Sequence, residues 1–157
     1  MAGPDGSPRD VDREIVAVFA QVHEEDSWYA GENLGELLGA GQPTANPSIM
    51  QNCYPWFVLF TINGFIRGSM PKEALTLRRG EKVRWYIMGS TNDFDFHTPH
   101  WHGNVVTTAG MRTDVVSVLP MTMLTANMVP DNPGTWLFHC HVSFHNEAGM
   151  AVLYTVE

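Results

Sequence analysis

Basic residues are scarce in this sequence. Lys and Arg number 9 against 17 Asp and Glu, giving a formal net charge of −8 and a pI near 5.2. That balance argues against a nucleic acid or an anionic membrane as partner. No apolar run approaches the roughly 20 residues of a membrane helix. The stretch Met1 to Asp10 has no basic n-region and no apolar h-region, so no signal peptide is read there, and residues 1–12 are expected to form a disordered arm. The compartment is not written in the sequence; a periplasmic or secreted setting is the expectation. No HExxH pattern and no nucleophile elbow is present, which removes zinc-hydrolase and serine-hydrolase chemistry. Repeats, low-complexity tracts and long helical periods are missing too.

Cysteine is nearly absent, with 2 in the chain. A pair in an exported protein first suggests a disulfide. Here Cys140 stands between two histidines at metal spacing, and a ligating thiolate cannot also be a half-cystine. Cys53 has no histidine near it in sequence and is read as an unpaired small residue.

What the chain does have is a series of short β-rich runs. At 157 residues it is long enough for one domain with a sizeable core, expected over 13–157. Arg13 to His23 predicts a strand, and its nearly continuous Ile15, Val16, Val18, Phe19 and Val22 predict burial on both faces for part of its length. Gly and Pro punctuate residues 24–56, with a helical turn expected over Asn33 to Leu38. Further strands are expected at Trp56–Ile62 with an Asn63-Gly64 turn, and at Leu75–Arg78, Lys82–Met88, Phe94–Thr98, Asn104–Thr107, Thr113–Leu119, Met121–Val129, Thr135–Cys140 and Met150–Val156. Such spacing predicts an all-β fold, an antiparallel Greek-key sandwich.

Six of the seven histidines fall in two short windows. One is His97-Thr98-Pro99-His100-Trp101-His102; the other is His139-Cys140-His141 followed by His145 and Met150. On an extended strand, residues two apart share a face. His139 and His141 are therefore expected to face out of the sandwich, together with His100 and His102, while Cys140 faces in. Cys140, His145, Met150 and one histidine of the first window, with His97 the best placed, form an electron-transfer copper set of one thiolate, two imidazoles and a weak thioether. His23 belongs to neither group and is read as structural.

These two motifs, His97-x-x-His100-x-His102-Gly103 and His139-Cys140-His141-x-x-x-His145-x-x-x-x-Met150, resemble the C-terminal cupredoxin domain of multicopper oxidases, such as laccases and ceruloplasmin. Asp26-Ser27-Trp28-Tyr29, Ile62-Asn63-Gly64 and Val83 to Gly89 extend the resemblance over 13–157. It implies a cupredoxin-like sandwich in which His97, Cys140, His145 and Met150 hold type 1 copper, His100 a type 2 copper, and His102, His139 and His141 type 3 copper. It also implies a laccase-like activity: a reductant gives electrons to type 1 copper, and they cross Cys140 to its flanking histidines and a trinuclear cluster that reduces O2 to water. Copper nitrite reductases lack the second histidine after the cysteine, and single-copper carriers lack both His-x-His pairs.

A family cluster takes twice as many histidines as this face offers. The missing half is expected from an N-terminal cupredoxin domain, or from further copies in a homo-oligomer built of dimer pairs or a trimeric or hexameric ring. Ferroxidase members carry an acidic residue just before the later histidine; here that residue is Phe144, and Trp56 to Thr61 contains no carboxylate or histidine. The expected reductant is therefore a small organic molecule or metal complex. The alternative is a stand-alone blue-copper electron carrier.

Overall fold

The computed structural model describes residues 3–4, 6–38, 58–90 and 95–157. Cys53, Trp56, Phe57 and Phe94 lie outside the described residues. Among the described residues ten strands form two sheets. The larger takes the order β2-β1-β4-β8-β6-β7 and the smaller the order β3-β10-β9-β5. In chain order the strands are β1 Arg13–His23, β2 Val58–Ile62, β3 Thr76–Leu77, β4 Val83–Ser90, β5 Pro99–Trp101, β6 Val106–Thr108, β7 Met111–Thr113, β8 Met123–Met128, β9 Gly134–Cys140 and β10 Ala151–Val156. This is a two-sheet sandwich, as the strand spacing anticipated, and it is the cupredoxin-like one that the resemblance implied.

The strands form where β-branched and aromatic residues alternate with polar ones. In β4, Val83, Trp85 and Ile87 are fully buried while Met88 is exposed. Their partners on the smaller sheet are Phe138, Tyr154 and Trp101. Trp85 meets Trp101 edge-on at 5.6 Å and Phe138 at 5.0 Å, and Trp101 stacks on Phe138 at 5.0 Å. Such offset and edge-to-face aromatic pairs add to the energy of their area burial.

Several expectations are corrected. The sheets are mixed rather than antiparallel: β1 runs parallel to β4, and β10 parallel to β3. Alternation reports which face is buried but not strand direction. β1 buries one face, not two: Ile15, Ala17 and Phe19 point inward, whereas Val16 is 57% exposed. The expected strand at Thr113–Leu119 reduces to isolated bridges, His100 to Val115 and His97 to Val118. The early helical turn is longer, α1 at Ala30–Leu38. Among the described residues a further α-helix, α2, spans Ser143–Ala148, between two of the expected strands. At six residues it is too short to leave a helical period in the sequence. Before β1, Asp10 pairs with Arg84 of β4 at 2.6 Å, and the N–H of Lys82, which precedes β4, donates to Asp12 at 2.8 Å.

Gly103 ends the β5 segment at φ +72, and a Cβ there would stand 2.3 Å from the Trp136 ring. Gly103→Ala is expected to destabilise the fold by about 2–4 kcal/mol, combining left-handed backbone strain with overpacking against Trp136. Equilibrium urea denaturation checks this.

Candidate metal centres

Register builds the first centre. β5 pairs with β9 so that Pro99 faces Cys140, His100 faces His139, and Trp101 faces Phe138. Pleating then sends Trp101, Phe138 and Cys140 into the sandwich, each fully buried, and His100 and His139 to the other side.

Inside, the Cys140 thiol lies 3.5 Å from His145 Nδ1 and 3.9 Å from His97 Nδ1. The three donor atoms lie within 4.8 Å of one another. Met150 is fully buried beside them. Its N–H donates to His145 O at 2.9 Å, and its carbonyl accepts the Cys140 N–H at 3.0 Å. The closeness of His145 depends on α2. Gly149 closes that helix in the left-handed region at φ 118, its N–H donating to Asn146 O at 3.0 Å, and the chain turns at once into β10.

Burial sets the electrostatics of this pocket. It pushes the Cys140 thiol up, while the Thr98 N–H, 3.4 Å from Sγ, acts in the opposite direction. Burial, with His145 adding to it, pushes the His97 imidazole down to about 4. His145 is also lowered by burial, opposed by the Asp95 carboxylate. Asp95 Oδ2 sits 3.0 Å from His145 Nε2. With His145 held neutral, this contact is an N–H to carboxylate hydrogen bond that leaves the Nδ1 lone pair aimed at the sulfur. A carboxylate orienting a ligating histidine in this way is a recurrent feature of metal sites. His97 Nε2 is buried without a hydrogen-bond partner. A thiol and two imidazoles converging in a buried pocket, with Met150 tied to them through backbone hydrogen bonds, fit copper.

A pH dependence follows for the metal-free chain. The folded-state value for His97, about 4, lies below the ordinary 6.5. The unfolded chain therefore binds the extra proton first. The contribution to stability is complete above pH 6.5 and is lost as pH falls toward 4, amounting to about 3 kcal/mol. Denaturation of metal-free protein across that range is expected to show the slope, and His97→Gln to reduce it.

Outside, His100 Nδ1 and His102 Nε2 each lie 3.1 Å from His139 Nε2. These three nitrogens form a second convergent group. His139 Nδ1 bonds to the Cys140 carbonyl at 2.8 Å, which fixes the tautomer and leaves Nε2 free for the group. Burial is the main cause lowering both His100 and His139, so both rings are neutral and ready to ligate. His141 is exposed, and its ring centre is 5.0 Å from that of His100 and 5.6 Å from that of His139. It borders the group without placing a nitrogen in it.

Two carboxylates beside the centres were not anticipated. Asp95 meets His145, and Asp114 Oδ2 lies 3.6 Å from His100 Nε2. Asp95 shares the face of His97 by alternation, which was a usable signal. Asp114 reaches His100 only through the Val115 bridge, which no sequence spacing shows.

Fold and donors together define a cupredoxin whose described residues bring together a sulfur-containing and an all-imidazole group of side chains able to hold a metal. The chain belongs to the multicopper oxidase family, whose sequence profile matches residues 41–157. It is 37% identical to ferroxidase HEPHL1 of Mus musculus over 155 residues, 96% of this chain and 13% of that protein. It is 36% identical to hephaestin of Homo sapiens, over 95% of this chain and 12% of that one, and 30% identical to ceruloplasmin of Mus musculus, over 94% and 14%. The chain thus spans about an eighth of the curated relatives it matches. Among solved structures, McoA multicopper oxidase from the hyperthermophile Aquifex aeolicus superposes with a TM-score of 0.63 at 18% identity, over 100% of this chain and 31% of that chain. Among the described residues no helix is long and apolar enough to cross a membrane.

Proposed function

We propose that this chain is the electron-accepting cupredoxin domain of a laccase-like multicopper oxidase. In this reading His97, Cys140, His145 and Met150 hold a type 1 copper, His100 serves a type 2 copper, and His102, His139 and His141 serve type 3 copper. A partner domain or a second copy of the chain supplies the remaining imidazoles. When bound, copper would supply one-electron transfer from a reductant and the reduction of O2 to water.

The observation that carries the proposal is the back-to-back arrangement on β9. The Cys140 thiol points to one side, and His139, bonded to the Cys140 carbonyl at 2.8 Å, presents its Nε2 to the other. The two centres are joined through a single residue and one hydrogen bond.

The chain's own residues prepare the inner centre. Thr98 N–H supports negative charge on Sγ, and Asp95 orients His145. Phe60 stacks on the His145 ring at 4.5 Å, and Phe144 covers Phe60 edge-on at 5.2 Å. These rings keep water off the buried donors. Beside Phe144 opens a cleft of about 520 Å³, mainly apolar and lined by Val58, Leu59, Ile66 and Phe144, with Arg67 and Glu147 at its polar side. Such a wall suits an organic or metal-complex reductant.

Two other readings have an observation in their favour. Iron(II) as reductant is favoured by the relative named ferroxidase and by the Asp95 carboxylate against His145. A stand-alone carrier is favoured by the outer face itself, where the described residues of one chain bring only three nitrogens together. Copper analysis combined with particle mass separates the oxidase from the carrier. An oxidase assembly holds more than one copper per chain and consumes O2; a monomer with a single copper and no O2 uptake establishes the carrier. Comparing O2 uptake driven by a phenol with that driven by iron(II) then assigns the reductant.

A further inference from the structure

The outer face of the larger sheet carries exposed methionines brought together by strand register. Met88 and Met123 are direct cross-strand partners on β4 and β8. Both point away from the core, 37% and 62% exposed. Directly opposed side chains hold their Cβ atoms about 5 Å apart. Met121, 73% exposed, stands in the turn that leads into β8.

That turn is clamped to the residue after Met88. Met121 N–H donates to Gly89 O at 2.8 Å, and Gly89 N–H donates to Thr122 O at 3.1 Å. Gly89 makes the approach possible, since a Cβ there would stand 2.8 Å from Leu119 O. Met121 also takes φ 54, a conformation that Asn or Asp adopts more readily. The backbone therefore brings three exposed methionines to one corner of the sheet, beside Gly89.

We propose that Met88, Met121 and Met123 form a surface site for cuprous copper, separate from both histidine groups. Thioethers are neutral, soft donors that select Cu(I) over Cu(II) or zinc. The unbranched methionine side chain has enough rotatable bonds for three sulfurs to converge on one ion. The site sits at the end of the sandwich that holds the buried donors. Val118, three residues before Met121, exchanges both backbone hydrogen bonds with His97, each at 2.9 Å. The inference depends on none of the ligand roles given to the histidines.

Anaerobic titration of the full metal-free chain with Cu(I), followed by NMR of its 13C-labelled methionine methyl groups, tests the site. The Met88, Met121 and Met123 signals are expected to shift together. Met111 is 64% exposed but lies on β7, two strands from β8, and should stay fixed. The Met88→Leu/Met121→Leu/Met123→Leu variant should take up one Cu(I) fewer than the parent, and Met111→Leu the same number. An unchanged uptake by the triple variant, or methyl signals that stay fixed, overturns the proposal. So does a parallel shift of Met111, which would mean unselective thioether binding. The NMR result on the unsubstituted chain decides the matter even if the triple variant does not fold.

Discussion

Cys140→Ser is expected to remove all of the strong visible absorption of the copper(II)-loaded chain. Among the described residues Cys140 is the free cysteine, and it is fully buried. The colour of such a centre comes with a copper–thiolate bond. A serine hydroxyl is a harder donor and stays protonated, so the bond is lost while the side chain keeps nearly the same size. Burying the hydroxyl costs about 1–3 kcal/mol, which a folded domain tolerates if Thr98 remains as a partner. Absorption spectroscopy checks the colour and circular dichroism the fold. Blue colour persisting in the serine variant would move the chromophore away from β9.

His139→Ala is expected to spare that colour and to stop oxygen consumption in the copper-loaded, assembled protein. The ring contributes the nitrogen on which His100 and His102 converge at 3.1 Å, and it holds the hydrogen bond to the Cys140 carbonyl. Loss of an outer-shell partner alone costs 10–100-fold at metal sites, so loss of this ring should lower turnover by at least about a hundredfold. The inner donors are untouched, because residue 139 points away from them. An oxygen electrode and an absorption spectrum on the same sample suffice. Continued turnover would show that no oxygen chemistry uses that face. Loss of colour as well would make His139 a support for both centres.

Why these two neighbours should behave so differently was legible in the sequence. Alternation alone puts Cys140 and His139 on opposite faces of β9, and Trp101 in the core between His100 and His102. The strand-forming runs and the tight turn at Asn63-Gly64 followed from local chemistry. Asn63 and Gly64 both take positive φ, 52 and 80.

What the sequence did not carry is of two kinds. Strand direction is one: nothing in the pattern of β1 distinguishes its parallel pairing with β4 from an antiparallel one, because burial depends on the face and not on polarity. Contacts between distant segments are the other. Asp95 meets His145 across fifty residues, and Asp114 meets His100 through a bridge outside any strand. α2 was hidden for a third reason, since one helical turn and a half leaves no periodicity. Its effect is nonetheless decisive, for it carries His145 back to the sulfur.

The most direct measurement is anomalous diffraction at the copper edge from copper-loaded crystals of the protein. Separate copper peaks are predicted on the two sides of β9: one among His97, Cys140, His145 and Met150, and at least one beyond the ring nitrogens of His100, His102 and His139. A single peak shared by Cys140 and the outer histidines, or copper bound to neither group, would contradict the account.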